Sequence, residues 1–291
     1  MLTRLLILTL FFVVPVIVFC QVDLNNGLVA YYPFNGNAND ASGNDNNASF
    51  NNATLTSDYY GNPNSAYHFN GVDNYIQIPN SASLNFSKTI SICAWVKPTG
   101  FYYGPCHGNE VVEKGDYDQE TGRYMIRFDD NFYTHGSNCN SGSIPDTLHE
   151  TFFGIGTGLS PQQDTPYVKK NVWHSVVYTY DGSHARLYID CDLILDSQIP
   201  GLSFTNASNL FFGRLNDSQF PYWFNGDLDE VRIYNRSLNL DEVKAYSIAC
   251  STNSTNPVLA SFTSPDTVCA GKSISFTNTS QNATNYYWNF C

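Results

Sequence analysis

Residues 173–190 read WHSVVYTYDGSHARLYID, and this stretch decides the class of fold. Trp173, Ser175, Val177 and Thr179 fall on one side of an extended chain, with His174, Val176, Tyr178 and Tyr180 on the other. The residues that follow break the run, and Ala185 to Ile189 begins another apolar stretch rich in strand formers. Working outward, similar short runs occur at Leu28 to Phe34, Ala66 to Phe69, Tyr75 to Ile78, Ile90 to Val96, Tyr124 to Phe128, Leu210 to Phe212 and Phe224 to Tyr234. Turn residues separate nearly all of them. One helix is expected, from Leu240 to Ser247, with Asn239 as its cap, Glu242 in the capping-box position, and Leu240, Val243 and Tyr246 facing one way. Many strands and a single terminal helix predict an all-β, two-sheet antiparallel sandwich.

Composition agrees. The 291 residues are 42% hydrophobic and 15% aromatic, with 20 Gly, 20 Tyr, 20 Phe and 33 Asn, so the chain can bury a full core between strands and turns. Charged residues make up 14%, and the net charge is -12. Without a Lys/Arg cluster to neutralise phosphates, nucleic acid and anionic membrane surfaces are poor partners.

At the amino terminus Arg4 precedes an apolar run from Leu5 to Phe19, the length of a secretory signal and short of the roughly 20 residues that span a bilayer. Residues 1–20 are therefore expected to be a signal peptide, with the mature chain beginning near Gln21. An uncleaved anchor and a lipid-modified Cys20 are the alternatives. No later segment is long and apolar enough to span a membrane, so a secreted or cell-surface product is expected. Export permits disulfides, and Cys106 and Cys139, which bracket a loop-like stretch rich in Gly and Asn, form the expected pair. Zinc is disfavoured because no C-x-x-C occurs and the six His are scattered.

Several segments together resemble a laminin G-like, concanavalin A-like jelly roll. They are Gly27 to Asp40 with Ser42-Gly43-Asn44, Ala66 to Pro79, Ile90 to Pro98, Trp173 to Gly182, Ala185 to Asp190 and Phe224 to Arg236. The resemblance covers residues 24–250. After the polar linker 251–259, Cys269 to Ser280 and Tyr287-Trp288-Asn-Phe290 resemble the opening strands of a PKD-type immunoglobulin-like domain, present over 260–291. A β domain cut after its first strands has too little core, so the chain is expected to be part of a longer exported protein. Cys191 stands where the jelly-roll family has Gly, which leaves the hairpin at Asp190 to Asp192 without its usual positive-φ residue.

Candidate chemistry is sparse. Asp227 and Asp229 share a strand face, Glu230 is expected to point the other way, and the next same-face position is Val231. The glucanases of the same shape need carboxylates at both ends of such a window, so no enzymatic activity is expected. His174 lacks a Ser or Cys nucleophile in any elbow motif. The resemblance implies structural calcium, with Asp40, Asn44 and Asp229 as ligands; the competing reading makes Asp40 to Asn44 an ordinary turn and pairs Asp229 with Arg232 or another cation. For sugar stacking the aromatic loops offer Tyr102, Tyr103, Tyr222 and Trp223. The expected protein is a non-catalytic carbohydrate-binding or adhesion module whose partner is an extracellular glycan or a surface protein. The alternative is an ancillary module of a larger secreted glycoside hydrolase or protease.

Overall fold

The computed structural model describes residues 22–100, 109–115, 122–129, 150–152 and 168–247, and two short strands at 262–263 and 277–278. The strands of the main unit are β1 (Leu28–Tyr32), β2 (Phe50–Asn51), β3 (Thr54–Thr56), β4 (Ala66–Asn70), β5 (Ile76–Ile78), β6 (Ile90–Pro98) and β7 (Asn109–Lys114). They continue as β8 (Tyr124–Asp129), β9 (Glu150–Phe152), β10 (His174–Tyr180), β11 (His184–Ile189), β12 (Asp192–Gln198), β13 (Leu210–Phe212) and β14 (Asn225–Tyr234), followed by one helix, α1 (Leu240–Tyr246).

The strands form two antiparallel sheets. One has eight strands in the order β12-β11-β10-β6-β14-β4-β3, with β1 also on β14, and the other six in the order β2-β5-β13-β7-β8-β9. The first strand therefore lies beside the last, with Leu28 opposite Tyr234 and Tyr32 opposite Val231. Inward-facing Val176, Tyr178 and Tyr180 of β10, Ile90, Ile92 and Ala94 of β6, and Leu210 and Phe212 of β13 fill the space between the sheets.

β6 and β10 are buried on both faces, which an open sandwich alone does not require. The reason is α1, which covers the outer face of the eight-stranded sheet. There Cys93, Trp95, Val177, Tyr188, Tyr234 and Leu238 pack with Val243 and Tyr246 in a second apolar cluster. The expected capping box is present: the Asn239 side chain accepts from the backbone N–H groups of Asp241 and Glu242, and Glu242 accepts from the Asn239 N–H. The expected apolar stripe needs one correction. Leu240 is exposed, while Glu242 is buried against a two-pronged ion pair with Arg236 at 2.7 and 2.8 Å.

The hairpin that lacks its usual glycine forms nonetheless. Asp190 and Cys191 both adopt positive φ, 48° and 75°, the geometry of a two-residue turn matched to strand twist. Asp190 is held there by accepting from the Ser175 N–H at 2.9 Å and by His174 Nδ1 at 2.6 Å. Cys191 is disulfide-bonded to a cysteine outside the described residues. Gly226 of β14 tolerates no side chain, because a Cβ would lie 2.6 Å from the Lys97 carbonyl oxygen.

Beyond the main unit, Phe262–Thr263 pairs with Thr277–Asn278. The rest of the expected immunoglobulin-like domain, the signal segment, and Cys106 with Cys139 lie outside the described residues. Among the described residues no helix is long and apolar enough to cross a membrane.

Candidate ligand-binding faces

β14 carries a bulge that rearranges its carboxylates. Its register against β6 shifts between Asp229, opposite Trp95, and Arg232, opposite Cys93, and Glu230 takes φ 51°. Its pairing with β4 ends at Leu228 and its pairing with β1 begins at Val231, so Asp229 and Glu230 fall in the gap between two neighbours. Strict alternation is broken there. Glu230 does not point away from Asp229 as the sequence suggests; both line one pocket, and Val231 turns into the core. Asp227 keeps the face expected for it and is held by Lys97 at 2.5 Å and His68 at 2.6 Å.

Asp229 and Asp40 have separate surroundings. Asp40 Oδ1 accepts from the N–H groups of Tyr31 and Ser42, and Oδ2 from that of Asn46, at 2.8 to 3.0 Å. Asn44 donates to the carbonyl oxygen of Val29 at 3.0 Å. Three N–H donors aimed at one carboxylate satisfy an anion and do not prepare a cation site. Asp40 is not among the residues lining the Asp229 pocket, and no group of three His, Cys, Asp or Glu gathers around a metal position among the described residues. The residues proposed for calcium thus do not form a fitting donor set in this geometry. His174 is likewise committed: Nε2 accepts from the Lys169 N–H at 2.9 Å, which leaves Nδ1 to donate to Asp190.

The outer face of the six-stranded sheet gathers aromatic and charged side chains. Tyr222 is 5% exposed and packs with Leu215 and Phe220 under the Arg127 guanidinium, 4.1 Å from its ring centre. It supports the face and does not present a free ring. Trp223 stays half-buried and continues a strip with Tyr75, 6.1 Å away, and Phe50, stacked on Tyr75 at 4.5 Å and 42% exposed. Arg214 sits against Trp223 and Tyr75, 4.9 and 5.1 Å from the ring centres, and donates to the carbonyl oxygens of Leu215 and Asp217. Tyr102 and Tyr103 lie outside the described residues.

Beside the strip, β7 contributes residues that sequence reading missed. A register shift between Glu110 and Val112 puts Glu110 and Glu113 on the outer face together, both fully buried. Arg123 donates to Glu113 at 2.7 Å, while Arg123 and Arg127 each stand 3.8 Å from Glu110. Burial first, and then the Glu113 charge, hold the Glu110 carboxyl well above the usual carboxylate range, with the arginines pulling the other way. The Glu110 N–H donates to the Tyr222 carbonyl oxygen at 2.8 Å, so this charged layer underpins the Phe220 to Trp223 segment. The run Asn-Glu-Val-Val-Glu-Lys gave no strand signal because its ends are charged; the buried arginine partners come from β8 and its approach, a long-range fact.

The arrangement is that of an all-β jelly-roll module with an aromatic outer face and no metal cluster among the described residues. A laminin G-like family model, described as the concanavalin A-like lectin/glucanases superfamily, matches residues 69–244, more than half of the chain, and the chain belongs to that family. The same fold occurs in domain 4 of an extracellular arabinanase from Geobacillus stearothermophilus, solved with arabinotriose, at 18% identity and a TM-score of 0.53, covering 76% of this chain and 98% of that one. It occurs in the binding domain of Paraclostridial Mosquitocidal Protein 1, at 20% identity and TM-score 0.53, covering 78% and 53%. It occurs also in a Trypanosoma rangeli sialidase complexed with sialic acid, at 16% identity and TM-score 0.55, covering 79% and 34%. This chain therefore matches only about half and a third of those last two. At such identities the likeness is one of fold. No curated protein sequence matches the chain.

Proposed function

We propose that the chain is a non-catalytic carbohydrate-binding module of an exported protein, and that the sugar lies along Phe50, Tyr75 and Trp223. The observation that carries this reading is that strip of three rings, open to solvent and backed by Arg214. Pyranose and furanose C–H faces stack on such rings, while neighbouring amides and guanidinium groups reach the hydroxyls. Glu110, Glu113, Arg123 and Arg127 stiffen the platform from behind and, being buried, do not reach the ligand. The arabinanase domain solved with arabinotriose supports a glycan ligand by analogy of fold.

Export, a PKD-type spacer after residue 259, and service as an ancillary module of a larger hydrolase belong to this same proposal. A glycan array probed with the folded protein and its Trp223→Ala and Phe50→Ala variants tests it. Binding to at least one glycan class, weakened about fivefold or more by each variant, is expected, since a stacked ring contributes about 1 kcal/mol or more. Equal binding by the wild type and both variants would overturn the assignment of the face.

A further inference from the structure

A second cavity lies on the opposite side of the molecule, away from the aromatic strip. At the β14 bulge a pocket of about 260 Å³ is lined by Tyr59, Tyr60, Trp95, Asp229, Glu230 and Tyr246, among others. It exists because β14 lacks a neighbour at Asp229 and Glu230, between its β4 and β1 partners, and because the Tyr59-Tyr60 loop and α1 wall the gap without filling it. Tyr59 packs on Trp95 with ring centres 4.5 Å apart, and Tyr60 stands edge-on to Tyr59 at 5.3 Å.

The charges inside are unequally served. Glu230 is answered by Arg232 at 2.8 Å and by the Tyr31 hydroxyl at 2.8 Å. Arg232 is in turn stacked on Tyr31, 4.1 Å from the ring centre. Asp229, 5% exposed, accepts only the N–H of Glu230, at 2.7 Å, through Oδ1. It forms no ion pair among the described residues, and Arg232, which also lines the pocket, is engaged by Glu230.

We infer that this pocket binds a small organic ammonium ion, held among the rings of Tyr59, Tyr60 and Trp95 and paired with the Asp229 carboxylate. Aromatic faces around a carboxylate favour an alkylated ammonium, whose diffuse charge is weakly hydrated and polarises π-systems. The cavity has room for a ligand of choline size and excludes a long oligosaccharide.

The groups around Asp229 set the sign of its pH dependence. On its own strand these are Glu230 and Arg232; from the loop between β3 and β4 come Asp58, Tyr59 and Tyr60; β6 contributes Trp95 and α1 contributes Tyr246. Burial first, then the negative charges of Glu230 and Asp58, push the Asp229 carboxyl up to about 8.

Choline, whose charge is permanent, is the probe, and 3,3-dimethylbutan-1-ol is its uncharged isostere. Titration followed by Trp95 fluorescence is expected to show choline binding at least about tenfold tighter than the alcohol. Asp229→Asn, which keeps the shape and removes the charge, is expected to abolish this preference. Trp223→Ala is expected to leave it unchanged, so this inference stands or falls apart from the sugar face. Equal affinity for choline and the alcohol in the wild type, or an unchanged preference in Asp229→Asn, would overturn it.

Discussion

Asp229 couples two properties that can be measured separately. A carboxyl whose folded-state pKa exceeds its unfolded value holds a proton in the native state that the unfolded chain has lost. The contribution of Asp229 to stability therefore falls as pH rises from about 4 to about 8 and is level below that range. Asp229→Asn is expected to flatten this part of the stability profile and to gain relative to wild type at pH 8; urea titrations at pH 5 and 8 that keep the same slope would contradict the assignment. Asp40 holds a turn in place. Its three backbone N–H partners fasten the 40–46 turn to β1, and Asp40→Ala is expected to cost roughly 1 to 2 kcal/mol by leaving partly buried donors unmet. Because those donors are N–H groups, the melting temperature is expected to be the same in calcium and in chelator. A large drop in chelator would show that a cation organises this turn.

At the scale of elements, the apolar strands were legible because one or both of their faces pack on a continuous core. β13 has the bounds read from the sequence, and those of β6, β10 and β14 differ from the reading by one or two residues. β7 and the edge strands β2, β3 and β12 were not legible. β7 opens with Asn109-Glu110 and closes with Glu113-Lys114, and tertiary partners make that polarity tolerable once buried: Arg123 and Arg127 beside the glutamates, Asn85 and Asn206 on Lys114. β2 and β3 are two and three residues long, too short for any period to register. The bulge at Asp229 to Val231 was hidden for another reason. Alternation assumes an unbroken ladder, and the change of partner from β4 to β1 is invisible without topology. The capping box of α1, in contrast, is local and was read directly. Asn239→Ala is expected to destabilise the protein by about 1 kcal/mol, with a matching loss of amide protection in residues 240–246. No change in that protection would place the helix under tertiary control alone.

For the whole molecule, the two sheets are joined by aromatic contacts as much as by aliphatic ones. Tyr32 of β1 meets Phe212 of β13 edge to face at 5.0 Å and donates to the Asn46 carbonyl oxygen at 2.7 Å. Tyr32→Ala is expected to cost about 3 to 5 kcal/mol, readable as a shifted urea midpoint with an unchanged slope; a loss under about 1 kcal/mol would mean that the β1 to β13 contact does not hold the sheets together. This closed sandwich sets its two candidate sites on opposite outer faces, so ligands can be assigned to them by tryptophan. Trp223 belongs to the aromatic strip, while Trp95 and Trp173 belong to the helix-covered side. The most direct test follows the indole N–H resonances during titration with a glycan selected on the array. Movement of the Trp223 signal with Trp95 and Trp173 unmoved is the predicted result; movement of Trp95 or Trp173 with Trp223 unmoved would contradict the placement of sugar binding on the six-stranded sheet.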